Sequence, residues 1–150
     1  MSDILAPVPA LHLPSAEATF TAQGRVAFGS DAWLFWSKAV PGTPVWIVAS
    51  ATAFPAGGIP GIDPGKVIFS ARLAAVVEAD RRHRHPNPAL RPATTSDDGA
   101  WTVFFEVEEL ARLTPPISVI GLRTVQGVSL NRVPQGPLAI HAPALNGGTA

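Results

Sequence analysis

The chain of 150 residues is predicted to be mostly β with short helices, folding into a small, partly closed β-barrel. Three observations predict this. About six short runs of Val, Ile, Phe and Trp are separated by Pro- and Gly-rich turns, the spacing expected of an all-β barrel or sandwich. Only one or two segments suit a helix. Hydrophobic residues make up 47% of the chain and the mean hydropathy is +0.24, enough to build a core, while no apolar run approaches the roughly 18 residues that span a bilayer.

The elements follow in order. Residues 1–18 are rich in Pro and Ala and are expected to be a flexible N-terminal segment. TFTAQGRVAF (19–28) holds β-branched and aromatic residues around Gly24 and predicts a strand or short hairpin. In GSDAWLFWSKAVPG (29–42), Ser30 or Asp31 can cap a helix of two to three turns, which Pro41 ends. A buried strand is predicted over 45–51, where Val, Trp and Ile run without interruption in too short a stretch for a core helix. KVIFSARLAAVVEA (66–79) contains enough β-branched residues to predict a long strand, bulged or bent. Residues 80–100 lack a hydrophobic period and carry Pro86, Pro88 and Pro92, which predicts a long loop; loops beyond about 12–15 residues in compact domains tend to be functional. WTVFFEVEEL (101–110) predicts a strand, LTPPISVIGLR a Pro-Pro turn and a further short segment, and VQGVSL and PLAI one or two more strands. The domain is placed at 19–140, with 141–150 a flexible tail.

Composition closes several classes. The chain has no cysteine, hence no disulfide framework, no thiolate nucleophile and no cysteine zinc site. Its formal net charge is +0 and its pI about 6.9, so any nucleic-acid contact must be local rather than the work of a global positive field. The start lacks a basic region followed by an unbroken apolar run; the expected location is the cytoplasm, with no membrane partner. There is no phosphate-binding P-loop, no G-x-S-x-G elbow and no H-E-x-x-H, and nothing calls for a cofactor.

Two groups of residues are candidates for a site. RRHRHPNPALRP (81–92) gathers four of the nine arginines and two of the four histidines. Arg84 and Arg91, with Arg72, could hold phosphate through their guanidinium forks; equally, they could be solvated or paired with Asp97, Asp98, Glu106, Glu108 and Glu109. His83 and His85 have H-x-H spacing but no evident third metal ligand, and the HPNP turn serves to stiffen the loop. The second group is aromatic. Trp33 and Trp36 share a helix face, and Trp101 starts a strand directly after the long loop; each could stack a planar ring or simply fill the core. Trp46 alternates within a buried strand and belongs to the core.

Three stretches resemble PUA-like domains of the EVE, ASCH and YTH-related type. PGTPVWIVAS (41–50) is similar to the strand after their first helix, KVIFSARLAAVVEAD (66–80) to their central strand, and HPNPALRPATTSDDGAWTVFFEVEEL (85–110) to the loop and strand that follow. The resemblance covers roughly 27–123. It implies a mixed barrel that holds a modified base, or another small planar group, in an aromatic-walled pocket. The expected function is therefore non-catalytic recognition of a modified nucleobase or single-stranded nucleic acid by Trp33, Trp36, Trp101, Arg72, Arg84, Arg91 and His85. Two alternatives stay open. Some ASCH relatives are amidohydrolases using Lys, Thr and Glu, which here would draw on Lys66, Thr94 or Thr95, and Glu106, with Ser70 and Ser96 as further nucleophile candidates. The other is a protein-interaction domain that contacts its partner through residues 80–100.

Overall fold

A computed structural model describes residues 2–95 and 101–145. Its elements are β1 (Asp3–Pro9), α1 (Leu13–Gln23), β2 (Val26–Ser30), α2 (Trp33–Ser37), β3 (Pro44–Ser50), β4 (Lys66–Glu78), β5 (Val103–Ser118) and β6 (Leu138–Ile140). The fold is mostly β with short helices. The six strands form one mixed sheet in the order β2-β5-β4-β3-β1-β6, with β1 parallel to β3 and every other pairing antiparallel.

The sheet curls without closing. Val26 and Phe28 of β2 share a core with Ile4, Ala6 and Val8 of β1, although those strands are four places apart in the sheet and do not hydrogen-bond. Strand alternation explains the two sides of this curl. Val45, Ile47 and Ala49 of β3 face the main core, while Trp46 and Val48 join Leu5, Val67 and Ile140 in a second one, covered by Val119 and Leu122. Central strands buried on both faces read as continuous apolar runs, which is why VWIVA was recognisable.

Residues 1–18 depart from the expected flexible segment. Ile4, Leu5, Ala6 and Val8 are buried, and β1 lies between β3 and β6, so the N-terminal stretch is an inner strand of the sheet. Prolines hid it, since proline usually argues against a central strand. Here β6 covers only Asp3 to Leu5, and Pro7 and Pro9 fall where β1 has a single neighbour. The Trp46 indole N–H ties this strand down by donating to Asp3 Oδ2 at 2.8 Å.

The strand or hairpin expected over 19–28 is instead the second half of α1 followed by β2. Pro14 stands in the first helical turn, where its missing N–H costs nothing, and SAEA supplies good helix formers. Gly24 ends the helix at φ 76°, with its N–H on Phe20 O at 2.7 Å, a left-handed cap that suits glycine. Leu13 and Ala16 sit in the main core, and the exposed side is held by Arg112, whose guanidinium meets the Glu17 carboxylate at 2.7 and 3.3 Å. That hydrogen bond raises the Arg112 pKa above its ordinary value.

The helix α2 is shorter than expected, five residues. β4 has the predicted bulges, with register shifts between Val67 and Phe69, Ser70 and Arg72, and Leu73 and Ala75. The Pro-Pro segment is not a turn: β5 runs on to Ser118, pairing Ile117 with Val67 and Arg112 with Phe69, so residues 113–116 form a bulge within one strand. Proline cannot donate to a ladder, but β4 is long enough to resume pairing beyond the interruption. Of VQGVSL and PLAI, the second becomes β6 and the first contributes only the isolated bridge of Arg123 with Ser129. Among the described residues no helix is long and apolar enough to cross a membrane.

Candidate functional site

A cleft of about 820 Å³ opens at the seam where the curled sheet fails to close. One side is Ala6, Pro7 and Pro9 of β1, the other Gly29 and Ser30 of β2, and the segment 133–137 lies across one end. The volume suits a small organic ligand, for which pockets of roughly 300–1,000 Å³ are usual.

Aromatic rings form its floor and wall. Trp36, 1% exposed, stacks on Phe105 with ring centroids 4.2 Å apart at 11°, and both line the cleft. Trp101 is half-buried and rests on Gly29: a Cβ there would lie 2.5 Å from the indole ring. Trp101 keeps part of its surface exposed, whereas Trp36 is almost wholly covered. Polar groups are few. Ser30 Oγ accepts from Ala32 N–H at 3.1 Å and from the Trp36 indole N–H at 3.0 Å, and Asp31, Ser50, Thr52 and Gln135 complete the polar side chains of the lining. No cation lines the cleft among the described residues.

The predicted site residues thus divide. Trp36 and Trp101, far apart in sequence, meet in one cleft. Trp33 does not join them; it is 55% exposed, because a five-residue helix can bury only one narrow face. Arg72 lines a separate groove of about 1020 Å³ beside Leu34, Phe35 and Val40, and is engaged by Glu109 at 3.2 Å and by Gly42 O at 2.7 Å.

The basic window splits into two halves with different work. In the first, Asp80 Oδ1 accepts from the backbone N–H groups of Arg82 and Arg84 at 2.8 and 3.0 Å. These bonds, first Arg84 and then Arg82, hold the Asp80 carboxyl below its ordinary pKa. The turn leaves the side chains of Arg81, Arg82 and Arg84 exposed. It also abuts the cleft wall, with His83 Nδ1 3.3 Å from Trp101 O.

The second half turns inward, and here the expectation that Arg91 and His85 contact ligand is corrected. Both are buried, at 7% and 5% exposure, on the face of β5 opposite the cleft. His85 Nδ1 accepts from Asn87 N–H at 2.8 Å, so the ring proton sits on Nε2, which donates to Glu106 Oε2 at 2.7 Å. Glu106 Oε1 accepts from Arg25 Nη1 at 3.0 Å. Arg91 donates to Ala27 O at 2.8 Å and lies 4.9 Å from the Phe104 ring centroid, while His85 meets the same ring edge-on at 5.1 Å. Burying such groups requires partners of this kind, so His85 and Arg91 are the anchors of the loop. His83 and His85 consequently face different partners. Asp97 and Asp98, suggested as ion-pair partners, and Ser96 lie outside the described residues.

The hydrolase candidates do not converge. Lys66 begins β4 opposite Ser118, whereas Glu106 pairs with Ala75, nine positions and roughly 30 Å further along the strand at about 3.3 Å per residue. Ser70 lies on β4 opposite Ala111, and Thr95 Oγ1 donates to Pro92 O at 2.6 Å. Thr94 Oγ1 instead meets Ser15 Oγ at 2.7 Å and His12 Nδ1 at 2.9 Å, clamping the loop to α1. Burial, and secondarily the Arg91 charge, push the His12 pKa below its ordinary value. The folded state therefore binds less proton than the unfolded one as pH falls through the ordinary histidine range near 6.5, and stability is full above that value and lost below it. Urea midpoints at pH 7.5 and 5.5 are expected to differ less in His12→Gln than in the wild type; an unchanged difference would show that His12 does not contribute.

Sequence reasoning missed Gly29, Phe105, Thr52 and Gln135 and saw Ser30 only as a cap. The one available signal was the small pair Gly29-Ser30 just before an aromatic helix. Compared with known proteins, the chain matches no family model and shows no significant similarity to any curated protein.

Proposed function

We propose that the domain is a non-catalytic module of PUA-like type that binds the planar ring of a modified base or nucleotide in the seam cleft, with a single strand of nucleic acid as the natural context. The observation that carries this reading is the meeting of Trp36, Phe105 and half-exposed Trp101 in one cleft that has few polar groups and, among the described residues, no lining cation. Such a cleft suits an uncharged ring: stacking on an aromatic side chain contributes roughly 1–3 kcal/mol per base. Phosphate belongs outside it, on the turn bearing Arg81, Arg82 and Arg84 beside Trp101. In this reading the separation of ring from phosphate gives a use to the arginines that a chain of zero net charge concentrates next to an aromatic wall.

The test is quenching of tryptophan fluorescence by modified and unmodified nucleosides and short single-stranded oligonucleotides. Saturable quenching that Trp101→Ala abolishes, with the circular dichroism spectrum retained, is the expected result; flat titrations across the panel overturn the reading. Because Asp80 organises the turn through backbone N–H groups, Arg84→Ala leaves the turn in place. It is expected to weaken oligonucleotide binding for every base alike and to lower the slope of log affinity against log salt by about 1. An unchanged slope would remove Arg84 from the phosphate contact.

A further inference from the structure

We infer that Ser30 is the specificity-determining residue of the seam cleft, and that it admits a nucleobase only when a carbonyl oxygen or an unprotonated ring nitrogen leads into the cleft. The inference rests on the ring-binding reading above and adds to it the chemistry of the edge that is read.

A serine hydroxyl has two lone pairs and one hydrogen. Both lone pairs of Ser30 Oγ are occupied, by Ala32 N–H at 3.1 Å and by the Trp36 indole N–H at 3.0 Å. Neither partner can reverse its role, since a backbone amide and an indole nitrogen are donors only. The hydroxyl of Ser30 is therefore a donor and nothing else. No described protein atom receives its hydrogen, and Ser30 lines the cleft. The arrangement is rigid: Trp36 is fully buried and stacked on Phe105, so the indole N–H that occupies one lone pair cannot swing away, and Ala32 N–H belongs to the adjoining backbone.

A ring edge that offers only N–H or C–H groups to this point leaves the Ser30 hydrogen without an acceptor when water is displaced, whereas an acceptor satisfies it. The asymmetry is the usual source of strong discrimination, because an unsatisfied buried donor costs more than a made hydrogen bond returns. The Asp31 carboxylate, exposed at the same rim, provides the complementary acceptor for an N–H of the same ring. With no cation among the described lining residues, a phosphate or carboxylate has no counter-charge there, and the inserted group is an uncharged base.

The experiment is calorimetric titration of the full chain with single-stranded octamers. These carry adenine, guanine, cytosine or thymine at the centre, with N6-methyladenine and 5-methylcytosine forms. Each is compared with analogues in which one ring nitrogen or carbonyl oxygen at a time is replaced by C–H. For a base that binds, replacing one particular acceptor is expected to lower affinity about tenfold or more in the wild type and in Ser30→Thr, but to have little further effect in Ser30→Ala. Trp36→Phe keeps a ring on Phe105 and frees one lone pair of Ser30, so this variant is expected to tolerate an N–H in place of the acceptor. If every analogue loses affinity equally in wild type and Ser30→Ala, the assignment of Ser30 falls while the ring-binding function stands. If no octamer binds the wild type, both fall together.

Discussion

Replacing Glu106 with alanine is expected to destabilise the domain by about 1–3 kcal/mol, the usual consequence of leaving a buried hydrogen-bond donor without its acceptor. Glu106 is 4% exposed and receives one hydrogen bond on each oxygen, from His85 Nε2 at 2.7 Å and from Arg25 Nη1 at 3.0 Å. Alanine would leave the His85 N–H facing a void beside Phe104. Arg25 would suffer less, being partly exposed and near Glu108, 3.9 Å away. The loss is large against the roughly 5–15 kcal/mol that holds a typical domain together. The effect should extend along the loop, since His85 also accepts from Asn87 N–H; amide exchange over 80–95 is expected to quicken before the rest of the sheet opens. Urea unfolding gives the stability directly. Glu106→Gln, which keeps the shape but presents an amide to one of two donors, should fall between wild type and alanine. A loss below about 1 kcal/mol, the scale of an exposed pair, would show that the network does not anchor the loop.

The second large effect is on binding. Gly29→Ala is expected to lower affinity for a ring ligand by roughly tenfold to hundredfold, the value of one stacking contact of about 1–3 kcal/mol, with the fold retained. The new Cβ would lie 2.5 Å from Trp101 Cδ2 and 2.6 Å from Cε2 and Cγ. Cγ is close to the indole's own backbone, so the ring cannot evade the clash by a small swing and must leave the cleft wall. Because Trp101 is only half-buried, its displacement costs the core little, and thermal unfolding should change far less than ligand affinity. Parallel fluorescence titration and thermal melts separate the two. Affinity equal to wild type would mean that Trp101 is not the stacking surface.

These predictions depend on features that the sequence exposed to different degrees. β3 and β4 could be read with nearly correct bounds, because Val45 to Ala49 and the run from Lys66 combine β-branched residues with flanking Pro and Gly. The first part of β5 was equally plain. Trp46 was correctly assigned to the core, and Trp36 and Trp101 were both singled out. β1 and α1 were misread because their local signals conflict: Pro7, Pro9 and Pro14 argue against order, whereas tertiary partners supply it. Thr19 and Thr21 favour strand by composition, yet Thr21 Oγ1 satisfies itself on Glu17 O at 3.0 Å within the helix.

The sequence by itself determined the mostly β class, the central strands, the long loop and the aromatic and basic residues on which a site could be built. Local periodicity and turn chemistry encode these, and each involves neighbours along the chain. Only the tertiary structure decided which of those residues meet. The cleft joins Ala6 and Pro9 of β1, Gly29 and Ser30 of β2, Trp101 and the segment 133–137, through strands that share a core without pairing. It also decided that Arg84 stays exposed on a turn abutting Trp101 while Arg91, seven positions on, lies buried against Phe104. The physical reason is that identical guanidinium groups differ only in what surrounds them, and in this chain the surroundings come from the curl of the sheet, a long-range property no window of sequence contains.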